Sequence, residues 1–139
     1  MTASTLPVRA GDGHEFALIA LEPASVRQAV LWLPALGVAA RHYLPFAHAL
    51  AARGVAVYLH EWRGHGSSSL RASRRSTWGY RTLLEVDLPA ATDAIRARTT
   101  ATPTLGGHSL GGQLAACHAA LSHAHVAGLW LVGSGSPYW

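Results

Sequence analysis

The sequence predicts an α/β domain with a mostly parallel, open sheet, helices on both faces and an antiparallel hairpin at its N-terminus. Two short runs of alternating polarity flank an Asp-Gly pair near the start. After them, short apolar runs alternate with segments of helical period, which requires parallel strands joined by right-handed crossovers. No internal repeat or linker interrupts the 139 residues. We therefore expect a single domain over residues 1–139.

The hairpin and the first buried strand are defined by their turn residues. The alternating runs are Thr5–Ala10 and Glu15–Leu21, and Asp12-Gly13 between them is a strong hairpin signal, because both residues tolerate positive φ. Ala29–Leu33 follows as a continuous apolar run that ends before a proline, as expected of a strand buried on both faces.

Helices and strands then alternate to the end of the chain. A helix is predicted from Tyr43, with Gly54 fitting just past its end, and a second helix contains Pro89, which would kink or split it. The predicted helices are 43–53, 80–98 and 111–122, and the predicted strands between and after them are 55–60, 103–106 and 128–132.

Composition excludes several classes of protein. The formal net charge is +4, but all of the basic residues except histidine are arginines, and the densest group of them lies in a Ser/Thr-rich segment without interleaved aromatic residues. We therefore expect no nucleic-acid partner. No apolar run approaches the length of a membrane span, and the N-terminus lacks the apolar segment of a signal peptide. A cytoplasmic protein without membrane association is expected.

The chemistry of the chain is expected at Ser109, in the sequence G-H-S-L-G. It follows a predicted strand directly and precedes a helix, which is the setting of a nucleophile elbow. Gly107 and Gly111 would let the strand and the helix approach closely. The amide of Leu110, at the start of the helix, would point towards the oxyanion of a tetrahedral intermediate.

Other interpretations of these motifs fit less well. The glycines could simply form a tight turn or hold a phosphate, but Gln113 stands where a Walker loop has lysine, and the dinucleotide pattern is not matched. His60-Glu61 begins a zinc-protease pattern whose second histidine is replaced by Gly64. We therefore expect neither a metal nor a cofactor.

Two further segments resemble the α/β-hydrolase superfamily, in particular its serine aminopeptidase S33 group. Residues 34–38 (PALGV) resemble the oxyanion loop of that group, which implies that the amide of Leu36 is the second oxyanion donor. Residues 61–68 (EWRGHGSS) resemble its D-x-R-G-x-G-x-S loop, with Glu61 in place of aspartate. The resemblance implies a serine hydrolase with a small-molecule acyl substrate.

The resemblance also implies a catalytic acid and a catalytic histidine after the nucleophile. No Asp or Glu follows Asp93, and the histidines after Ser109, which are His118, His123 and His125, belong to the predicted helix or lie just beyond it. We therefore expect the chain to be the N-terminal half of such a domain, incomplete at its C-terminus. His65 and His42 are weak candidates for a base, because loop packing or solvent exposure explains them better.

A second hypothesis is a catalytically inactive binding or assembly module with the same fold. In that case the last strand, GLWLV, would be an apolar sheet edge covered by a partner chain, whereas in the first hypothesis the missing half of the domain would cover it.

Overall fold

The structure, a computed structural model, describes residues 1–121 and 126–135. Within them six strands form one mixed sheet of order β1-β2-β4-β3-β5-β6. The strands are β1 (Ser4–Arg9), β2 (Glu15–Leu21), β3 (Gln28–Leu33), β4 (Val55–Leu59), β5 (Pro103–His108) and β6 (Leu129–Val132). β2 runs antiparallel to both of its neighbours, and β4, β3, β5 and β6 are mutually parallel. The predicted fold class is confirmed.

The helices lie in the crossovers, and the second predicted helix is irregular. A 3₁₀ turn (Ala40–Tyr43) leads into α1 (Leu44–Ala51), a π-helical turn (Leu83–Asp87) separates α2 (Tyr80–Thr82) from α3 (Leu88–Arg96), and α4 is Leu110–Leu121. The π-helical turn ends two residues before Pro89. Because proline cannot donate to the carbonyl four residues earlier, regular α-helical bonding is interrupted at this point.

Each face of the sheet has its own core, and β3 contributes to both. Its residues Leu31 and Leu33 pack on the face that carries α3 and α4, whereas Val30 and Trp32 pack on the opposite face against α1. This alternation places helices on both sides of the sheet, as the continuous apolar run had predicted.

The order of the strands creates a crevice at one point of the sheet. The crossover from β3 leads outward to β4 on one side, while the crossover from β5 leads outward to β6 on the other side. β3 and β5 are neighbours, with Leu33 opposite Gly107 at their carboxyl ends. In open α/β sheets ligands bind at such a switch point, and the loops after these two strands carry Leu36 and Ser109.

Candidate active site

Ser109 lies at the junction of β5 and α4 in a conformation that non-glycine residues rarely adopt. Its φ is 55°, and it is the only non-glycine residue with positive φ in the described part of the chain. Its N–H donates to the carbonyl of Val132 (2.9 Å), and its carbonyl accepts from Gly112 in the first turn of α4 (3.1 Å). The left-handed conformation costs about 1 kcal/mol or more. It is held here by bonds on both sides, and the residue is exposed.

The glycines beside Ser109 are required by close backbone contacts. A Cβ on Gly107 would lie 2.3 Å from the backbone of Gly111 and Gly112, and a Cβ on Gly111 would lie 2.0 Å from the carbonyl oxygen of Leu33. Both distances are far below van der Waals contact. The start of α4 is therefore packed directly on the ends of β5 and β3, which fixes its position relative to the loop that follows β3.

The amides predicted as oxyanion donors belong to residues that line one cavity. Leu36 and Leu110 both contribute to its wall, and neither amide donates a hydrogen bond to any described residue. The side chain of Leu36 is 69% exposed, and the turn that contains it is closed by a bond from the Val38 N–H to the Ala35 carbonyl (3.2 Å). Two amides at adjacent strand ends that have no partner among the described residues can stabilise a negatively charged oxygen.

Tyr43 connects the loop of Leu36 with the residue before Ser109. Its hydroxyl accepts a hydrogen bond from the N–H of Ala35 (2.9 Å) and lies 3.1 Å from Nδ1 of His108. The sequence had placed Tyr43 on a helix face and gave no signal for this contact, because it joins residues that are distant in the chain.

Glu61 stands where the similar loop of the S33 group has aspartate, and its carboxylate accepts hydrogen bonds from backbone N–H groups. Its buried carboxylate accepts from the N–H of Ala40 (3.0 Å) and from that of Ser67 (3.5 Å). Gly66 has a φ of 44°, and a Cβ there would meet the same carboxylate at 2.2 Å. Glu61 thus ties the loop after β4 to the segment that follows the Leu36 turn.

Arg63 and Asp87 form a buried ion pair beneath this loop. Arg63 donates to both carboxylate oxygens of Asp87 (3.0 and 2.7 Å) and to Asp12 in the hairpin turn (2.8 Å). The hydrogen bonds to Asp87, and then those to Asp12, raise the pKa of Arg63, while the bond from Arg63 lowers the pKa of Asp12. In the sequence, Asp87 falls on the apolar side of the predicted helix 80–98, and a carboxylate at such a position indicates a buried partner.

His14, Ser68 and Asp87 have the hydrogen-bond order of a hydrolytic triad but are inaccessible. Ser68 Oγ lies 2.7 Å from Nε2 of His14, whose Nδ1 lies 3.1 Å from Asp87. All three residues are buried, and Ser68 Oγ also accepts from the N–H groups of Gly64 and Leu70. A substrate cannot reach this hydroxyl, so the arrangement braces the loop after β4 against the hairpin.

The histidines considered as bases are not joined to Ser109 by a hydrogen bond within residues 1–121 and 126–135. His65 is half-buried and lies 3.2 Å through Nδ1 from the carbonyl of Arg63, and His42 is exposed. His118 is buried on α4, and burial lowers its pKa. His123 and His125 lie outside the described residues.

The described residues contain no group of His, Cys, Asp and Glu side chains arranged to hold a metal ion. None of the helices in the described part of the chain has the length and apolarity needed to span a bilayer.

The comparisons with known proteins agree with this architecture. The sequence model of the family described as serine aminopeptidase, S33, matches residues 24–136. An alpha/beta hydrolase from Penicillium sp. sh18 superposes with a TM-score of 0.80 at 20% identity, over 94% of this chain and 45% of that one. A carboxyl esterase from Bacillus coagulans gives 0.79 at 23% identity, over 94% and 44%. An alpha/beta hydrolase from Novosphingobium aromaticivorans gives 0.73 at 28% identity, over 93% and 43%.

These matches cover nearly all of this chain, but the chain spans less than half the length of the matched structures. A comparison with curated protein sequences gives no significant match. The family match extends over most of the sequence and includes the three segments that carry the predicted site. The chain therefore belongs to the serine aminopeptidase S33 family of α/β hydrolases.

Proposed function

We propose that the protein is a serine hydrolase in which Ser109 attacks the carbonyl carbon of an ester, thioester or amide. The observation that carries the proposal is the positive φ of Ser109 (55°) at an exposed strand-to-helix junction. A hydroxyl held in a strained position between crowded glycines is the arrangement of a nucleophile elbow. The matched structures include both esterases and epoxide hydrolases, and the serine at the elbow is our reason for choosing an acyl substrate.

The proposed reaction forms an acyl-enzyme. Ser109 Oγ bonds to the carbonyl carbon while its proton passes to a general base, and the carbonyl oxygen becomes an oxyanion held by the amides of Leu36 and Leu110. The tetrahedral intermediate collapses, the leaving group departs with the proton from the base, and water then hydrolyses the acyl-enzyme by the same steps. The reaction requires no cofactor.

We assign the base and its orienting acid to residues outside these 139. All seven carboxylates precede Ser109 in the sequence, and two of them, Glu61 and Asp87, are occupied by buried contacts beneath the loop after β4. The matched structures are more than twice as long as the aligned part of this chain. We place the additional residues in a longer form of the chain or in a partner chain.

The nucleophile is tested by fluorophosphonate labelling of the protein as its own cell makes it, with mass spectrometry of the peptide that contains Ser109. We expect a covalent adduct on Ser109 that is absent from Ser109→Ala. Ser134→Ala is the matched control, because Ser134 lies close to Gly112 on the loop after β6, and it should keep the adduct. An unlabelled Ser109 in a correctly folded protein would contradict the proposal.

A second candidate function is an inactive binding or assembly module, and the exposed edge strand favours it. All four residues of β6 are exposed, from 38% at Trp130 to 46% at Leu129 and Leu131. An apolar edge of this kind is a surface for strand pairing. Under this alternative, light scattering would show a complex with a partner chain, whereas a well-behaved monomer would count against it.

A further inference from the structure

We propose that the cavity beside the two oxyanion amides is an acyl pocket for an uncharged apolar group of about six carbons, which rests on the proposed function. The cavity has a volume of about 190 Å³. A cavity of about 150 Å³ holds benzene, so a phenyl ring or a six-carbon chain fits, and a much longer chain does not.

The cavity lies beside the two predicted oxyanion donors, which favours an acyl group as its occupant. Leu36 and Leu110, whose amides would hold the carbonyl oxygen, are themselves part of its wall. A carbonyl oxygen placed between those amides brings the first carbons of the acyl chain to the mouth of the cavity. The rest of the wall comes largely from aromatic and aliphatic residues after β4, among them Trp62, Trp78, Tyr80 and Leu83.

Two polar groups of the wall, those of Trp62 and Arg63, are already engaged. The Trp62 indole N–H donates to the carbonyl of Pro34 (2.8 Å). Arg63 also lines the cavity, but its guanidinium is paired with Asp87 and Asp12. A carboxylate ligand would have to compete with these two carboxylates, so a neutral ligand is favoured over a charged one.

Trp78 is part of the wall of the cavity. It is half-buried, and its ring lies so close to Gly64 that a Cβ there would meet it at 2.7 Å. Removal of the indole would open the cavity to solvent, so that a bound chain would no longer be withdrawn from water.

The test is an NMR titration of the full chain with butanamide, hexanamide, octanamide and hexanoate, followed at the amides of Leu36 and Leu110. We expect the Kd to fall about three- to fourfold per methylene from butanamide to hexanamide, to stay level at octanamide, and to be higher for hexanoate than for hexanamide. Trp78→Ala should abolish the gain in affinity with each added methylene. Tyr80→Ala, at an exposed wall residue, should weaken that gain, and Trp130→Ala, outside the cavity, should leave it unchanged.

Any of three results would contradict the proposed pocket. The first is an equal Kd for butanamide and hexanamide, and the second is tighter binding of hexanoate than of hexanamide. The third is a gain in affinity per methylene that Trp78→Ala does not alter. The titration is repeated in Ser109→Ala, where the Kd should depend on chain length in the same way, because Ser109 is not among the residues that line the cavity. Length-dependent binding without fluorophosphonate labelling would refute only the serine mechanism. Labelling without length-dependent binding would refute only the pocket.

Discussion

At the scale of single residues, His60 is a buried side chain that costs the fold stability. It follows β4 directly, is fully buried, and neither ring nitrogen has a hydrogen-bond partner in the described part of the chain. Its ring packs edge-on against Phe16 and Trp62. A buried polar group without a partner costs about 1–3 kcal/mol.

Replacement of His60 by leucine should therefore stabilise the protein and change its response to acid. Burial lowers the pKa of His60 from 6.5 to about 3. Below pH 6.5 the unfolded chain binds a proton that the folded chain does not, so the free energy of unfolding falls as the pH drops towards 3, by up to about 1.4 kcal/mol per pH unit from this group. Urea denaturation between pH 4 and 8 should show that His60→Leu is more stable and less sensitive to pH.

The matched control for that experiment is His48→Leu, at an exposed position of α1. It should keep the pH dependence of the wild-type protein. Part of the dependence should remain in His60→Leu, because burial also lowers the pKa of His118. Unchanged acid sensitivity in His60→Leu would show that this ring is solvated or bonded in solution.

Tyr43 is expected to act as a positioning residue for the oxyanion loop. Tyr43→Phe removes the acceptor of the Ala35 N–H and the contact with His108, so the Leu36 amide should lose its fixed position relative to Leu110. We expect labelling of Ser109 by a fluorophosphonate to slow about tenfold, with a stability loss of about 1 kcal/mol. Tyr58→Phe, which loses a hydrogen bond to Glu22 instead, should leave the labelling rate unchanged.

At the scale of elements, the contact between α4 and β3 depends on one glycine. Gly111→Ala would place a Cβ 2.0 Å from the Leu33 carbonyl oxygen and 2.5 Å from that of Pro34. Neither strand nor helix backbone can yield by that amount without separation, so we expect a loss of about 3 kcal/mol or more in urea denaturation. Gly128→Ala, whose Cβ would meet nothing within 4 Å, should stay within about 0.5 kcal/mol of wild type.

The elements themselves were largely predictable because each carries a local signal. The hairpin around Asp12-Gly13, the stop of the first helix before Gly54 and the strand before Ser109 all follow from turn chemistry and period. The π-helical turn Leu83–Asp87 did not follow. Pro89 predicts an interruption of the helix. Whether the helix kinks, splits or forms a π-helical turn there depends on its packing against the sheet, which a local sequence pattern does not contain.

At the scale of the whole molecule, the unpredicted features are those that join distant parts of the chain. The Arg63–Asp87 pair and its bonds to His14 and Asp12 connect the hairpin, the loop after β4 and the helix of the next crossover. A single sequence shows that these residues are polar but not which of them meet. The position of Ser109 was predictable for the opposite reason, since an elbow is built from consecutive residues and its geometry is local.

The difference between local features and contacts with distant residues also determines what these 139 residues can do alone. A serine hydroxyl without a base is a weak nucleophile at neutral pH, and no described residue supplies a histidine hydrogen-bonded to Ser109. We expect the chain to release p-nitrophenol from p-nitrophenyl butyrate at a rate that Ser109→Ala does not lower. Turnover that disappears in Ser109→Ala would contradict this expectation. In that case His65→Ala should also abolish activity, because His65 lines the same cavity as Leu36 and Leu110.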